Sequence, residues 1–286
     1  MQISRILVPF ELTKLSDIAT DYALEVALQL KVKEVILLNI IIPAHVQTSS
    51  AAGGVINSSV EIAHQLNMTM MGRHKEVMEE KAKAFSTSDV KAIPVVRLHN
   101  SKADLNHFMK EFGADLIVTG SRDKFSFLEI LFGSDTEKMI RKIDFPMIVL
   151  TGKPVSSQIK SIALALNVAL QDEQHVGLED VMNFAFALEA HLQLIYVITN
   201  NSVKATVAIE KLQQLARKKK MKNYSINVVD NHSLETGLQG FARKFNPDLV
   251  AVLTHGKGKI HNLIYGSSTG EVIKELEIPV FVAKPQ

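Results

Sequence analysis

The chain has 286 residues, 47% of them hydrophobic and 22% charged, the balance of a globular protein with room for about two domains. A net charge of +2 leaves no electrostatic footprint for nucleic acid or for a membrane surface. The absence of cysteine excludes disulfides, thiol catalysis and cysteine-held metals, and suits a reducing compartment.

Residues 1–9 run almost at once into a strand-like stretch, without the basic and then long apolar pattern of a targeting segment. The longest apolar run, Val35 to Ala44, is interrupted by Asn39 and Pro43 and is about half the ~20 residues that span a bilayer. A cytoplasmic soluble protein is expected. The first strand lies in residues 3–12 and ends near Glu11. Helical spacing follows from Ser16 to Leu30, with Tyr22, Val26 and Leu30 on the apolar face and Ser16 as the N-cap. After a buried strand in VKEVILLNIII, residues 43–60 are small, polar and glycine-containing, the composition of a loop. A helix from about Val60 to Phe85, with a break at Gly72, returns to a strand at 93–100. The rest of this half reads as a helix over Lys102–Phe112, a strand in GADLIVTGS, a loop, a helix and a strand in FPMIVLTGKP.

The same order then repeats. IKSIALALNV (159–168) is a strand ending near Asn167, and helical spacing runs from Leu178 to Leu192. LQLIYVITN is a strand, Val203–Lys219 a helix, YSINVVDN (224–231) a strand and Leu234–Phe245 a helix. NPDLVAVLTH and IPVFVAKPQ supply the last two strands. Each half is therefore β-α-β-α-β-α-β-α-β, which predicts a five-stranded parallel sheet with helices on both faces. The Gly/Pro/Ser-containing GKPVSSQ (152–158) is the linker, giving units at 1–152, with a long insertion near 43–75, and at 159–286. Exposed apolar edge strands need covering, which gives a physical reason for two like units in one chain.

Two loops align between the halves. GSRDKFSFLEILFGS runs from Gly120 to Ser134, and LTHGKGKIHNLIYGS from Leu253 to Ser267. Each follows a fourth strand and ends in Gly-Ser before a helix. In parallel sheets, ligands sit beyond the carboxyl ends of strands, and glycine-rich loops bring backbone N–H groups close to phosphates. Gly133-Ser134 and Gly266-Ser267-Ser268 also match helix starts, since Ser134 with Glu137 and Ser268 with Glu271 are capping boxes.

This arrangement resembles a tandem universal stress protein, two UspA-type units in one chain, over nearly the whole length. That family's signature is Gly, two residues, Gly, nine residues, then Gly with Ser or Thr. The spacing is kept as Gly120, Asp123, Gly133-Ser134, and as Leu253, Gly256, Gly266-Ser267. The resemblance implies a Rossmann-like, adenine-nucleotide-alpha-hydrolase-like fold and a role in stress response. It implies adenine-nucleotide (ATP) binding with Mg, in a family that also has members without nucleotide. Transferred residue by residue, the second-half site is Asn167, Val197, Gly256, Lys257, Gly266, Ser267 and Ser268. The first-half site is Glu11, Ile40, Gly120, Gly133 and Ser134. Single-domain members of that family pair their final strands, so the resemblance implies that Met147–Leu150 and Val280–Ala283 pair in an intramolecular pseudo-dimer, with further homodimerisation open.

Both halves depart from the signature. Asp123 replaces a glycine in the first, where a carboxylate ~4 Å from a phosphate costs up to about 4 kcal/mol at an effective dielectric near 20. In the second, Gly256 is kept and Lys257 and Lys259 favour anions, while Leu253 replaces the first glycine. The expectation is a degenerate nucleotide site, better preserved in the second half. The alternative is a ligand-free scaffold acting through a protein partner. No Walker lysine or nucleophile elbow is present, so no enzyme beyond a trace ATPase is expected. The histidines lack ligand spacing, so no metal is expected. Met68, Met70, Met71 and Met78 are read as packing residues.

Overall fold

The computed structural model describes residues 2–43, 56–98, 105–120, 143–150, 158–168, 177–199, 203–253 and 278–283. In the first half these form β1 (Arg5–Pro9), α1 (Lys14–Leu30), β2 (Glu34–Ile41), α2 (Ile56–Phe85), β3 (Lys91–Leu98), α3 (Leu105–Phe112), β4 (Leu116–Gly120) and β5 (Met147–Leu150). In the second they form β6 (Ser161–Ala165), α4 (Leu178–Ala187), β7 (His191–Ile198), α5 (Ala205–Lys218), β8 (Tyr224–Asp230), α6 (Leu234–Phe245), β9 (Leu249–Leu253) and β10 (Val280–Ala283).

Ten strands make one sheet in the order β3-β2-β1-β4-β5-β10-β9-β6-β7-β8. Within each half every pairing is parallel, as continuously apolar strands joined by helices require. The halves meet antiparallel, with Val280 opposite Val149, Phe281 opposite Ile148 and Val282 opposite Met147. The strands are the core: Ile6, Leu7, Ile117, Ile148, Ile162, Leu164, Val280 and Phe281 are fully buried. Phe281 stacks on Phe184 of α4 at 4.6 Å between ring centroids.

Registers define the repeat. Ile6 faces Leu116 as Ile162 faces Leu249, which makes Glu11 equivalent to Asn167 and Gly120 to Leu253. Arg5 faces Glu34 as Ser161 faces His191, which makes Asn39 equivalent to Tyr196 and Ile40 to Val197. The aspartates before β4 and β9 have the same task. Asp115 accepts from the backbone N–H of Ser4 at 2.7 Å, and Asp248 from those of Lys160 and Ser161 at 2.9 and 3.0 Å. Each carboxylate thus fixes the start of the neighbouring first strand. The first helix of each half ends alike, and the second helix of the second half uses the same turn. Lys31, Glu189 and Lys220 adopt left-handed backbones, and the next N–H reaches back to Ala27, Ala185 and Ala216 respectively.

Five expectations need correction. Thr13, not Ser16, caps α1, because its hydroxyl accepts from the Ser16 N–H at 3.2 Å. Helix α2 is continuous from Ile56 to Phe85. A Cβ at Gly72 would meet nothing within 4 Å, so this glycine relieves no crowding and lowers helix propensity without breaking the helix. Residues 56–60 are accordingly helical, and 44–55 of the expected loop lie outside the described residues. Leu192 belongs to β7, since α4 ends at Ala187 and Glu189 turns the chain. Of the methionines, Met78 is fully buried, but Met68 is 55% exposed and fills no gap.

Candidate functional site

Strand order reverses between β1 and β4, and again between β6 and β9. Right-handed crossovers put α1 and α2 on one face, where Lys81 of α2 pairs with Asp17 of α1 at 2.8 Å, and α3 on the other. The carboxyl ends flanking each reversal are the switch points where parallel sheets take ligands. The expected site residues fall there. Glu11 follows β1 and Gly120 ends β4, while Asn167 follows β6 and Leu253 ends β9.

In the first half, the turn from β1 to α1 is tightly held. Leu12 has φ 60°, a strained left-handed backbone for a branched apolar residue. The Glu11 N–H donates to Ser16 Oγ at 2.8 Å. Burial of the Glu11 carboxyl raises its pKa from 4.5 to about 7. Asn39 of β2 is buried beneath this turn, and its Nδ2 donates to the Phe10 carbonyl at 2.7 Å. That bond orients the amide, so Asn39 Oδ1 faces His74 Nδ1 at 2.8 Å and the imidazole donates. Ile40, beside it, is half-buried near the end of β2. Above Gly120 lies Leu15 of α1. A Cβ there would meet its Cδ atoms at 2.7 and 2.8 Å, so this position admits only glycine while Leu15 stays in place.

The second half is built differently at each equivalent place. Asn167 is half-buried. Lys211 of α5 donates to the Val168 carbonyl next to it at 3.1 Å, which pins the chain leaving β6. Tyr196, in place of Asn39, is fully buried and accepts from the Val203 N–H at 3.1 Å. Val197 is buried against α6. A Cβ at Gly237 would lie 2.5 Å from its Cγ1, so glycine lets α6 approach β7. Leu253 is buried. Gly133, Ser134, Gly256, Lys257, Gly266, Ser267 and Ser268 lie outside the described residues.

Sequence reading missed Asn39, His74, Leu15 and Lys211. The one available signal was Asn39, a polar residue inside an apolar strand, which must find partners when buried. The other three are ordinary helix residues whose direction depends on packing. Among the described residues, no group of three or more His, Asp or Glu could hold a metal ion. Nor is any helix among them long and apolar enough to cross a membrane.

The model of the universal stress protein family matches residues 2–151 and 172–284. The chain belongs to the universal stress protein family. Universal stress protein MJ0577 of Methanocaldococcus jannaschii is 26% identical over 155 residues, 52% of this chain and 95% of that protein. A universal stress protein from Archaeoglobus fulgidus has a similar structure, with a TM-score of 0.65 and 17% identity, covering 98% of this chain and 96% of its own. PA1789 of Pseudomonas aeruginosa PAO1, described as functionally unknown, gives 0.60 at 16% identity, covering 99% and 93%. These two structures support the fold: an α/β, mostly parallel, Rossmann-like sheet, here continued through both universal stress protein units.

Proposed function

We propose that this universal stress protein is a non-enzymatic stress-response protein that takes an adenine nucleotide through its second half, residues 159–286. The observation that carries the reading is the retained Gly256-Lys257-Gly258-Lys259 and Gly266-Ser267-Ser268, which follow β9 in sequence, where β9 and the strand before Asn167 flank a switch point. Backbone N–H groups at glycines and lysine charge suit phosphates, and the Asn167 amide suits a sugar hydroxyl. Val197 acts there through its backbone, since its side chain is committed to Gly237. ATP with Mg is the expected form of the ligand.

The first half, residues 1–152, reads as poorly suited to the same ligand. Leu15 fills the space above Gly120, Glu11 puts a carboxyl where the second half has the neutral Asn167, and the charge of Asp123 opposes phosphate. The antiparallel β5–β10 pairing supports an intramolecular pseudo-dimer of the two units. Hydrolysis is at most a trace activity.

Isothermal titration with ATP and Mg²⁺ tests the reading. The parent protein is expected to give saturable heat and the Gly256→Asp variant to lose it. Absence of heat from the parent at millimolar nucleotide ends the proposal. Phosphate release that persists unchanged in Ser267→Ala is contamination rather than activity of this site.

A further inference from the structure

Away from both switch points, the last turn of α4 carries the most exposed large apolar side chain among the described residues. Phe186 is 76% exposed. Its equivalent in the first half, by the shared helix-end pattern, is Leu28, which is smaller and 40% exposed. An exposed aromatic of this size on one unit alone has no role in the repeated framework, because the framework is complete in the other unit without it.

Phe186 is also the wall shared by two cavities. One, of about 630 Å³, lies between the last turn of α4, the first residues of the chain and the α1–β2 turn, and its edge carries Lys31 and Lys33. The other, of about 660 Å³, lies between α4 and the α5–β8 turn, and its edge carries Lys220 and Lys222. All four lysines are exposed, and among the described residues none of their ammonium groups pairs with a carboxylate. Lys219, by contrast, is engaged with Glu179 at 2.7 Å. Glu189 is the single acidic side chain lining either cavity. Four uncompensated cations around one aromatic therefore make a surface with an apolar centre and a positive rim.

We infer that this surface docks an acidic peptide segment of a partner protein, with an apolar side chain of that segment packed against Phe186 and its carboxylates on the lysine rim. Charge complementarity selects the sign of the partner. The shape selects a peptide over a membrane. Two concave hollows divided by one ring receive side chains, whereas a membrane-binding surface presents a broad convex apolar face. Asn183 lines both hollows and Asn223 lines the second, so amide groups are at hand for an extended backbone. The surface shares no residue with the proposed nucleotide site, so the two readings stand or fall separately.

The probe is a fluorescein-labelled synthetic peptide with one phenylalanine between runs of glutamate. Controls are the same peptide with serine for phenylalanine, a lysine-flanked counterpart, and vesicles of phosphatidylserine with phosphatidylcholine. The acidic aromatic peptide is expected to saturate the full-length protein with an affinity that falls as salt rises. The serine peptide binds more weakly and the lysine peptide does not bind. Phe186→Ser is expected to weaken binding roughly tenfold, and the double change Lys33→Glu with Lys222→Glu by at least about as much. Phe245→Ser, at a 47% exposed position on α6, leaves affinity unchanged. All these positions are exposed, and thermal melts matching the parent show that each variant folds. The charge-reversal variant tests the same surface without touching Phe186. No saturation at millimolar acidic peptide, equal losses in Phe186→Ser and Phe245→Ser, or sedimentation with anionic vesicles without peptide binding would each overturn the inference.

Discussion

The two halves of this chain share their backbone plan and differ where that plan meets the switch points. Strand order, strand register, the left-handed end of the first helix and the aspartate before the fourth strand are the same in both. The switch-point pairs are Glu11 with Asn167, Asn39 with Tyr196, and Gly120 with Leu253, and each pair differs in charge, size or hydrogen-bonding capacity. The second helix differs too, 30 residues in α2 against 14 in α5. The repeated features satisfy backbone requirements that any parallel crossover imposes. The divergent ones touch the floor of the crevice, which the fold tolerates in several chemistries.

The largest test of that comparison acts where the halves cease to be separate. Phe281 is fully buried, stacks on Phe184 and sits opposite Ile148 across the seam. Phe281→Ala is expected to cost about 3–5 kcal/mol, as large core truncations do. In urea with fluorescence and circular dichroism, both probes should shift together. Two separated transitions would show that the halves unfold independently and that the continuous sheet does not couple them.

Next come the twin aspartates. Asp115→Ala and Asp248→Ala should each cost about 2–3 kcal/mol, because a charged acceptor is removed from backbone N–H groups at a strand start. Near-equal losses by denaturant titration support a shared framework role. A loss confined to one of them would break the equivalence that the registers imply.

Asn39→Ala isolates a first-half feature. It strips the Phe10 carbonyl and His74 of a buried partner and should cost about 2 kcal/mol. His74→Gln, made alone, keeps Asn39 and a donor to its Oδ1, and should cost less than Asn39→Ala. A neutral Asn39→Ala, measured by thermal unfolding, would mean that water replaces the amide and the network is not structural.

The sequence carried the architecture further than the site. Alternation of apolar strands and helical spacing identified every described strand in order, because burial on both faces leaves little choice of residue. Caps and breaks were less legible. Thr13 and Ser16 both have hydroxyls, and only the direction of the β1–α1 turn, with Leu12 left-handed, decides which of them caps. Gly72 carries a helix-breaking propensity that the surrounding turns outweigh. At the switch points, Gly120 is expected to line the first-half nucleotide site, and the side chain packed over it is Leu15, from an element more than a hundred residues away in sequence. Contacts of that kind follow from strand order, and periodicity alone does not contain it.

Glu11 gives the smallest and most specific contrast between the halves, since Asn167 cannot titrate. Its carboxyl has a folded pKa of about 7 against an ordinary 4.5, caused by burial. Between these values the folded protein holds a proton that the unfolded chain releases, so its contribution to stability is whole below about pH 4.5 and is lost as pH rises through 7. Glu11→Gln mimics the protonated form. It should match the parent at acid pH and exceed it above pH 7 by about 1 kcal/mol, a figure reduced for the partial exposure of the group. Asn167→Asp is expected to shift stability in the same pH direction only if the second switch point is as dry as the first. Unfolding free energies measured at intervals from pH 4 to 8 decide both points. A pH-independent Glu11→Gln difference would show that the carboxyl is solvated and that the two crevice floors differ in shape rather than in polarity.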